Sequence, residues 1–292
     1  MGLGKLNVAL YGNCHAHGFE VCLKHSPNFM KKCELIKLPY FFKKEGPPEK
    51  EQLLDCDLFI YQEIRDKNAM GEEFGTDRLM RFLPSKCERI QIPNLYELGY
   101  GFFPQNFIFE RAPHFINKNN PSFKGDDRGL FVHGDYVIDS MLDRPVNEVV
   151  ESVYRTDLID RDKILSMFDK YTEKIREREK RWDIKIADYI LSEYKNKQMF
   201  NDFGHPSNDV IRKMSRELLE YIGIEDDLKD FKMIYELDEY EDPIYPCVRE
   251  VLGLKYQKKY LREQSDKKLV EKMTFEEYVR EYYFWCQRSD EE

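Results

Sequence analysis

The sequence lacks several things that define common protein classes. No apolar run approaches the roughly 20 residues that cross a bilayer. The chain enters its first apolar stretch, Leu6–Tyr11, without a small-residue cleavage site, so no signal peptide is read. Positive charge is also short: the net charge of −9 argues against general binding to nucleic acid or to an anionic membrane. Cysteine pairs are missing. The seven cysteines, at 14, 22, 33, 56, 87, 247 and 286, are odd in number and never form CxxC, which excludes a disulfide framework and a structural zinc signature. They read as buried small hydrophobes of a reducing cytoplasm, with Cys14 the exception. Internal repeats and low-complexity tracts are absent too.

What remains suits a globular chain. At 292 residues, with 41% hydrophobic and 35% charged, it can bury a sizeable core beneath a highly charged surface. A shift to acidic and aromatic composition near Glu225 suggests a main domain over 1–224 and an extension over 225–292. The extension, polar and charged from Lys255, reads as helical and suited to packing on a second subunit, so homo-oligomer formation is an open expectation.

The first 95 residues alternate between two patterns. Residues 6–11 read as a buried strand, 14–25 as a helix that Ser26-Pro27-Asn28 ends, and Cys33–Leu38 as a second strand. A third strand lies within Leu53–Gln62, a helix around Thr76–Leu83, and a fourth strand at Arg89–Ile92 before Pro93-Asn94. Strands and helices at this spacing predict βαβ units with a parallel sheet, hence an α/β three-layer sandwich. Ligands of open parallel sheets bind beyond the carboxyl ends of the strands. Gly12–Cys14, Gln62–Arg65 and Asn94 all fall at such ends. Tyr96–Asp127 reads as a long aromatic loop, a binding wall or lid. Helices follow at Asn147–Tyr154, Asp160–Arg181, Ile184–Tyr194 and from Ser207 or Asn208 to Tyr221, before Gly223.

Cys14 stands out because a strand is expected to end, and a helix to begin, at its position. The helix dipole and the free N–H groups of a first turn favour a thiolate there. A nucleophilic cysteine needs a base, and the base needs an orienting acceptor. Asp202-x-x-His205, in a turn between two helices, offers both. Gln62 and Asn94 are strand-end amides able to donate to an oxyanion. Each has a plainer reading as well: His205 as a surface turn residue, Asn94 and Gln62 as strand caps. His133 and Asp135 are alternative polar partners, and His25 reads as a loop residue without supporting neighbours. Cys14-His15-x-His17 raises a metal site, but helix geometry points positions 15 and 17 apart and no further ligand cluster completes a shell, so no metal is expected.

Strand-GNC-helix, the Gln-containing polar cluster, IPN after the fourth strand and a late HPS segment together resemble the WcbI polysaccharide biosynthesis family, over roughly residues 5–222. The resemblance implies a capsule-biosynthesis acetyltransferase that binds coenzyme A on an α/β fold related to SGNH/GDSL hydrolases. It implies Cys14 at the nucleophile position, Asp202 and His205 as the late catalytic pair, and Gln62 in the oxyanion block, with the backbone N–H groups of Cys14 and His15 beside it; Asn13, His15 and Asn94 are the further oxyanion or substrate candidates. Position 15, usually Gln in that pattern, is His15 here, which places substrate contact at that position in question. The reaction implied is acyl transfer from acetyl-CoA to a sugar hydroxyl, in the cytoplasm. Arg65, Arg111 and Lys118 are the cations expected to meet CoA phosphates. Two other readings stay open: an esterase or thioesterase using Cys14, and a non-catalytic CoA- or glycan-binding module.

Overall fold

The computed structural model describes residues 4–39, 41, 46–65, 68, 70–104, 134–232, 241–256, 260–264 and 269–289. Its strands and helices follow from the alternation in the first 95 residues. Leu6–Tyr11 is strand β1, followed by helix α1 (Cys14–Lys24). Next come helix α2 (Pro27–Lys32) and β2 (Cys33–Ile36), then β3 (Leu58–Tyr61), α3 (Thr76–Met80) and β4 (Glu88–Gln91). All neighbours pair in parallel, in the order β2-β1-β3-β4. The register sets Val8 against Leu58 and Tyr11 against Tyr61, so β1 and β3 end side by side.

Strand residues alternate between faces. Ala9, Tyr11 and Phe59 pack with Leu53, Leu79 and Leu83 in one apolar cluster, leaving Val8, Leu10 and Ile60 buried on the opposite face. The fold is α/β, a three-layer sandwich around a parallel sheet, as the sequence pattern predicts. Tyr11 shows how tightly the first face is built: its buried hydroxyl donates to the Phe74 carbonyl at 2.7 Å, and burial raises its phenol above the usual range.

One stop signal proves to be a start. Ser26 caps α2, accepting from the Phe29 N–H at 3.1 Å, with Pro27 in the first turn. Proline is tolerated there because its missing N–H would have had no helical partner anyway. His25 is not isolated either; it caps α1 and stacks on Phe231 at 4.6 Å.

After the sheet come α4 (Tyr136–Asp139), α5 (Val146–Val153), α6 (Arg161–Glu179), α7 (Ala187–Glu193), α8 (Asn208–Tyr221) and α9 (Pro246–Leu252). The segment beyond Lys255 differs from the helical expectation. It contains an antiparallel hairpin, β5 (Tyr260–Gln264) with β6 (Leu269–Met273), before α10 (Phe275–Ser289). High charge content is shared by solvated helices and exposed hairpins alike, so composition does not separate them.

Contacts group the chain into two compact units. One takes Met1–Asn94, Arg176–Tyr189 and Asn208–Tyr235; the other takes Leu95–Ile175, Ile190–Ser207 and Glu236–Glu292. The sheet belongs to the first. In the second, α10 packs on α4 and α5.

Candidate active site

In the first unit, the candidate residues sit at the carboxyl edge of the sheet. Asn13, 4% exposed, caps α1: its Oδ1 accepts the His15 N–H at 2.9 Å and its carbonyl accepts from the Ala16 N–H at 2.9 Å. This leaves Cys14 as the first helical residue, partly exposed and with no disulfide. An Asn directly before an apolar helical pattern is a capping signal, and it was legible in the sequence.

Gln62 ties the edge together. It is fully buried; its Oε1 accepts from the Asn13 N–H at 3.0 Å and its Nε2 donates to the Pro93 carbonyl at 2.7 Å. One side chain at the end of β3 thus binds the ends of β1 and β4. Gly12 makes room for it, since a Cβ there would lie 2.4 Å from Gln62 Oε1 and 3.1 Å from Ala16 Cβ. Asn94 extends the chain of amides, its Oδ1 accepting from Asn13 Nδ2 at 3.1 Å. Asn13, Cys14, Gln62 and Asn94, picked from sequence, are therefore gathered at one edge. Gln62 Nε2 has one further amide hydrogen, and the His15 N–H already serves the Asn13 cap.

His15 itself is fully buried in α1. Arg65 stands exposed in the loop after β3, its carbonyl accepting from Asn68 Nδ2 at 2.7 Å. Arg111, Lys118 and His133 lie outside the described residues. Among the described residues, no group of three His, Cys, Asp or Glu side chains is placed to hold a metal.

In the second unit, the turn before α8 carries the other candidate residues. Asp202, 1% exposed, accepts the N–H groups of Gly204 and His205 on Oδ1, at 2.6 and 2.7 Å. Its Oδ2 meets His205 Nδ1 at 2.7 Å. A carboxylate in that position holds the ring proton on Nδ1 and makes Nε2 the basic nitrogen. The His205 side chain keeps 24% of its surface exposed, so an imidazole with a fixed tautomer opens to solvent. The turn is rigid. Asn201 N–H donates to the His205 carbonyl at 2.8 Å, and Gly99 N–H to the Phe203 carbonyl at 3.0 Å. Gly99 is required by that approach, because a Cβ would fall 2.4 Å from the Asp202 carbonyl oxygen. Tyr100 stacks on Phe203 at 4.6 Å, which gives part of the aromatic loop a supporting role.

Asp135, the alternative polar partner, is engaged by the fold around it. It lies 3% exposed, capping α4 through the N–H groups of Val137 and Ile138 and accepting the Tyr245 hydroxyl at 2.8 Å on both oxygens. Its own N–H donates to Tyr282 Oη, whose hydroxyl donates to Asp139 Oδ1, each at 2.8 Å. These bonds fasten α4 to α9 and α10.

The chain is thus an α/β protein with a cysteine at the head of a capped helix in its first unit and a carboxylate-oriented histidine in its second. The family model described as polysaccharide biosynthesis enzyme WcbI matches residues 7–227, and the chain belongs to that family. A solved structure shares the fold, with TM-score 0.70 at 19% identity, over 98% of this chain and 91% of that one. It is described as WcbI, a novel polysaccharide biosynthesis enzyme, in a native form without the disulfide bond between CoA and its own Cys14. No curated protein matches the chain.

Proposed function

We propose that this chain is a cytoplasmic CoA-dependent O-acyltransferase that moves an acyl group, acetyl in the simplest case, from its CoA thioester to a hydroxyl of a capsular or other cell-surface polysaccharide. The observation that carries the reading is the Asp202–His205 pair at 2.7 Å in a family of polysaccharide biosynthesis enzymes. The solved WcbI structure, described with CoA and a cysteine, supports the choice of acyl donor. Among the described residues, no helix is long and apolar enough to cross a membrane.

In this reading His205 Nε2 takes the proton of the acceptor hydroxyl as its oxygen attacks the thioester carbonyl. The C–O bond forms, the tetrahedral oxyanion collapses, the C–S bond breaks and the departing thiolate recovers the proton from His205. Asp202 keeps the imidazole in the required tautomer. Cys14 either carries the acyl group as a thioester between two such steps or lines the thiol end of the CoA site. Asn94 and the remaining Gln62 N–H are assigned to the oxyanion, a role worth about 3 kcal/mol per donor. Arg65 is assigned to CoA phosphate.

The test is transfer of labelled acetyl from acetyl-CoA to the producing cell's own polysaccharide. His205→Ala is expected to abolish transfer while leaving the fold intact; full activity in that variant overturns the assigned base. Cys14→Ser separates the two roles of the thiol. Loss of transfer together with loss of acyl-protein labelling supports the covalent route, and transfer without labelling supports the lining role.

A further inference from the structure

The acyl-transfer reading makes no use of one hollow in the unit that holds α4 and α5. A cavity of about 340 Å³ opens there, within the roughly 300–1,000 Å³ typical of small-molecule pockets. Its walls include Arg144, Ser152, Arg155 and Asp157, and its apolar side is made by Met141 and Leu158. The backbone around it is pinned. Tyr283 Oη donates to the Arg144 carbonyl at 2.7 Å, Arg144 N–H to the Met141 carbonyl at 3.0 Å, and Arg155 N–H to the Ser152 carbonyl at 3.1 Å.

The charges differ in how they are engaged. Arg155 grips Asp157 with two bonds, Nε to Oδ1 at 2.8 Å and Nη2 to Oδ2 at 2.7 Å. Among the described residues, the Arg144 guanidinium has no hydrogen-bonded or ion-paired partner. The lining therefore carries a surplus positive charge in a chain whose net charge is −9. The hollow is open, with Arg144, Arg155 and Asp157 all exposed, and the unpaired guanidinium is available to bind carboxylate or phosphate through two parallel N–H groups. The neighbouring Arg155–Asp157 pair sets donors and acceptors side by side, which suits adjacent hydroxyls that each donate and accept. Met141 and Leu158 suit the C–H face of a ring.

We propose that this cavity binds an acidic sugar, a hexose bearing a carboxylate or a phosphate, with its anion on Arg144 and two ring hydroxyls on the Arg155–Asp157 pair. The site goes beyond the acyl-transfer reading and does not depend on it, since CoA plays no part in the recognition. A family that builds polysaccharide has a use for such a ligand.

Calorimetric titration of the full chain with glucuronate, glucose 6-phosphate, neutral glucose and inorganic phosphate tests it. At least one acidic sugar is expected to saturate the protein at millimolar concentration or below, with neutral glucose and inorganic phosphate each at least about tenfold weaker. The stronger of the two acidic sugars identifies the anion. Arg144→Ala is expected to weaken that sugar by about tenfold or more. The thermal midpoint and the CoA titration should not move, because the guanidinium supports nothing else. Asp157→Asn is expected to weaken the sugar without increasing affinity for neutral glucose. Absence of binding by both acidic sugars, unchanged affinity in Arg144→Ala, or inorganic phosphate binding as tightly as glucose 6-phosphate overturns the proposal. Because CoA is titrated separately, failure here and failure of the acyl-transfer reading give different results.

Discussion

Gln62 and Asn13 are joined across two strand ends, the Gln62 carboxamide oxygen accepting the Asn13 N–H at 3.0 Å while its nitrogen holds the Pro93 carbonyl. The residue that caps the cysteine's helix is thus positioned by the strand beside it. The cap is set by the fold around it as well as by local sequence.

Replacing Gln62 with Leu should show this. Leu fills similar space but leaves the Asn13 N–H and Pro93 carbonyl without their partner, at about 1–3 kcal/mol for each buried group. Urea unfolding is expected to register a loss of about 2–5 kcal/mol. A loss below about 0.5 kcal/mol would mean that Gln62 does not hold the edge.

Asp202→Asn tests the oriented base. Asparagine can still accept the Gly204 and His205 N–H groups, but it presents an N–H to His205 Nδ1 and so forces the proton onto Nε2. Turnover is expected to drop by about 10²–10⁴ with a far smaller change in KM and little change in thermal midpoint. Retention of turnover would remove Asp202 from the mechanism.

Asp135 supplies a pH signature of the C-terminal fastening. Burial pushes its carboxyl up to about 7, against the opposing hydrogen bonds from Tyr245 and Ile138. The unfolded carboxyl titrates near 3.9. Between those values the native state holds a proton that the unfolded chain has released. This group's contribution is therefore full below about pH 4 and is lost as pH rises towards 7. Asp135→Asn keeps an acceptor for Tyr245 and the cap of α4 but does not titrate. Its stability relative to the parent should rise by a few kcal/mol from pH 4 to pH 7. Parallel curves for the two proteins would contradict the assignment.

Much of the sheet was legible because its two central strands, LNVALY and LFIY, are short, largely apolar and separated by helical spacing. Leu58–Tyr61 is of this kind, with Leu58 4% exposed and Phe59 and Ile60 fully buried. The same pattern placed Asn13, Gln62 and Asn94 at one edge. Sequence could not tell that Gln62 spends both ends of its amide on backbone, since that depends on the register between β1 and β3. Ser26-Pro27 was ambiguous for a different reason: a capping serine with proline after it resembles a helix stop whenever another helix has just ended. The hairpin at 260–273 was hidden by charge, as its strands YLREQ and LVEKM carry no clear two-residue apolar period. The Asp135 clamp joins residues 110 and 147 positions apart, a distance at which sequence has no local signal.

The central claim is that a CoA thioester is the donor. Calorimetric titration of the full chain with CoA and acetyl-CoA tests it most directly. Saturable one-to-one binding of both is expected at micromolar to sub-millimolar concentration, weakened by Arg65→Ala through lost phosphate contact. Absence of heat from either ligand at millimolar concentration would contradict it.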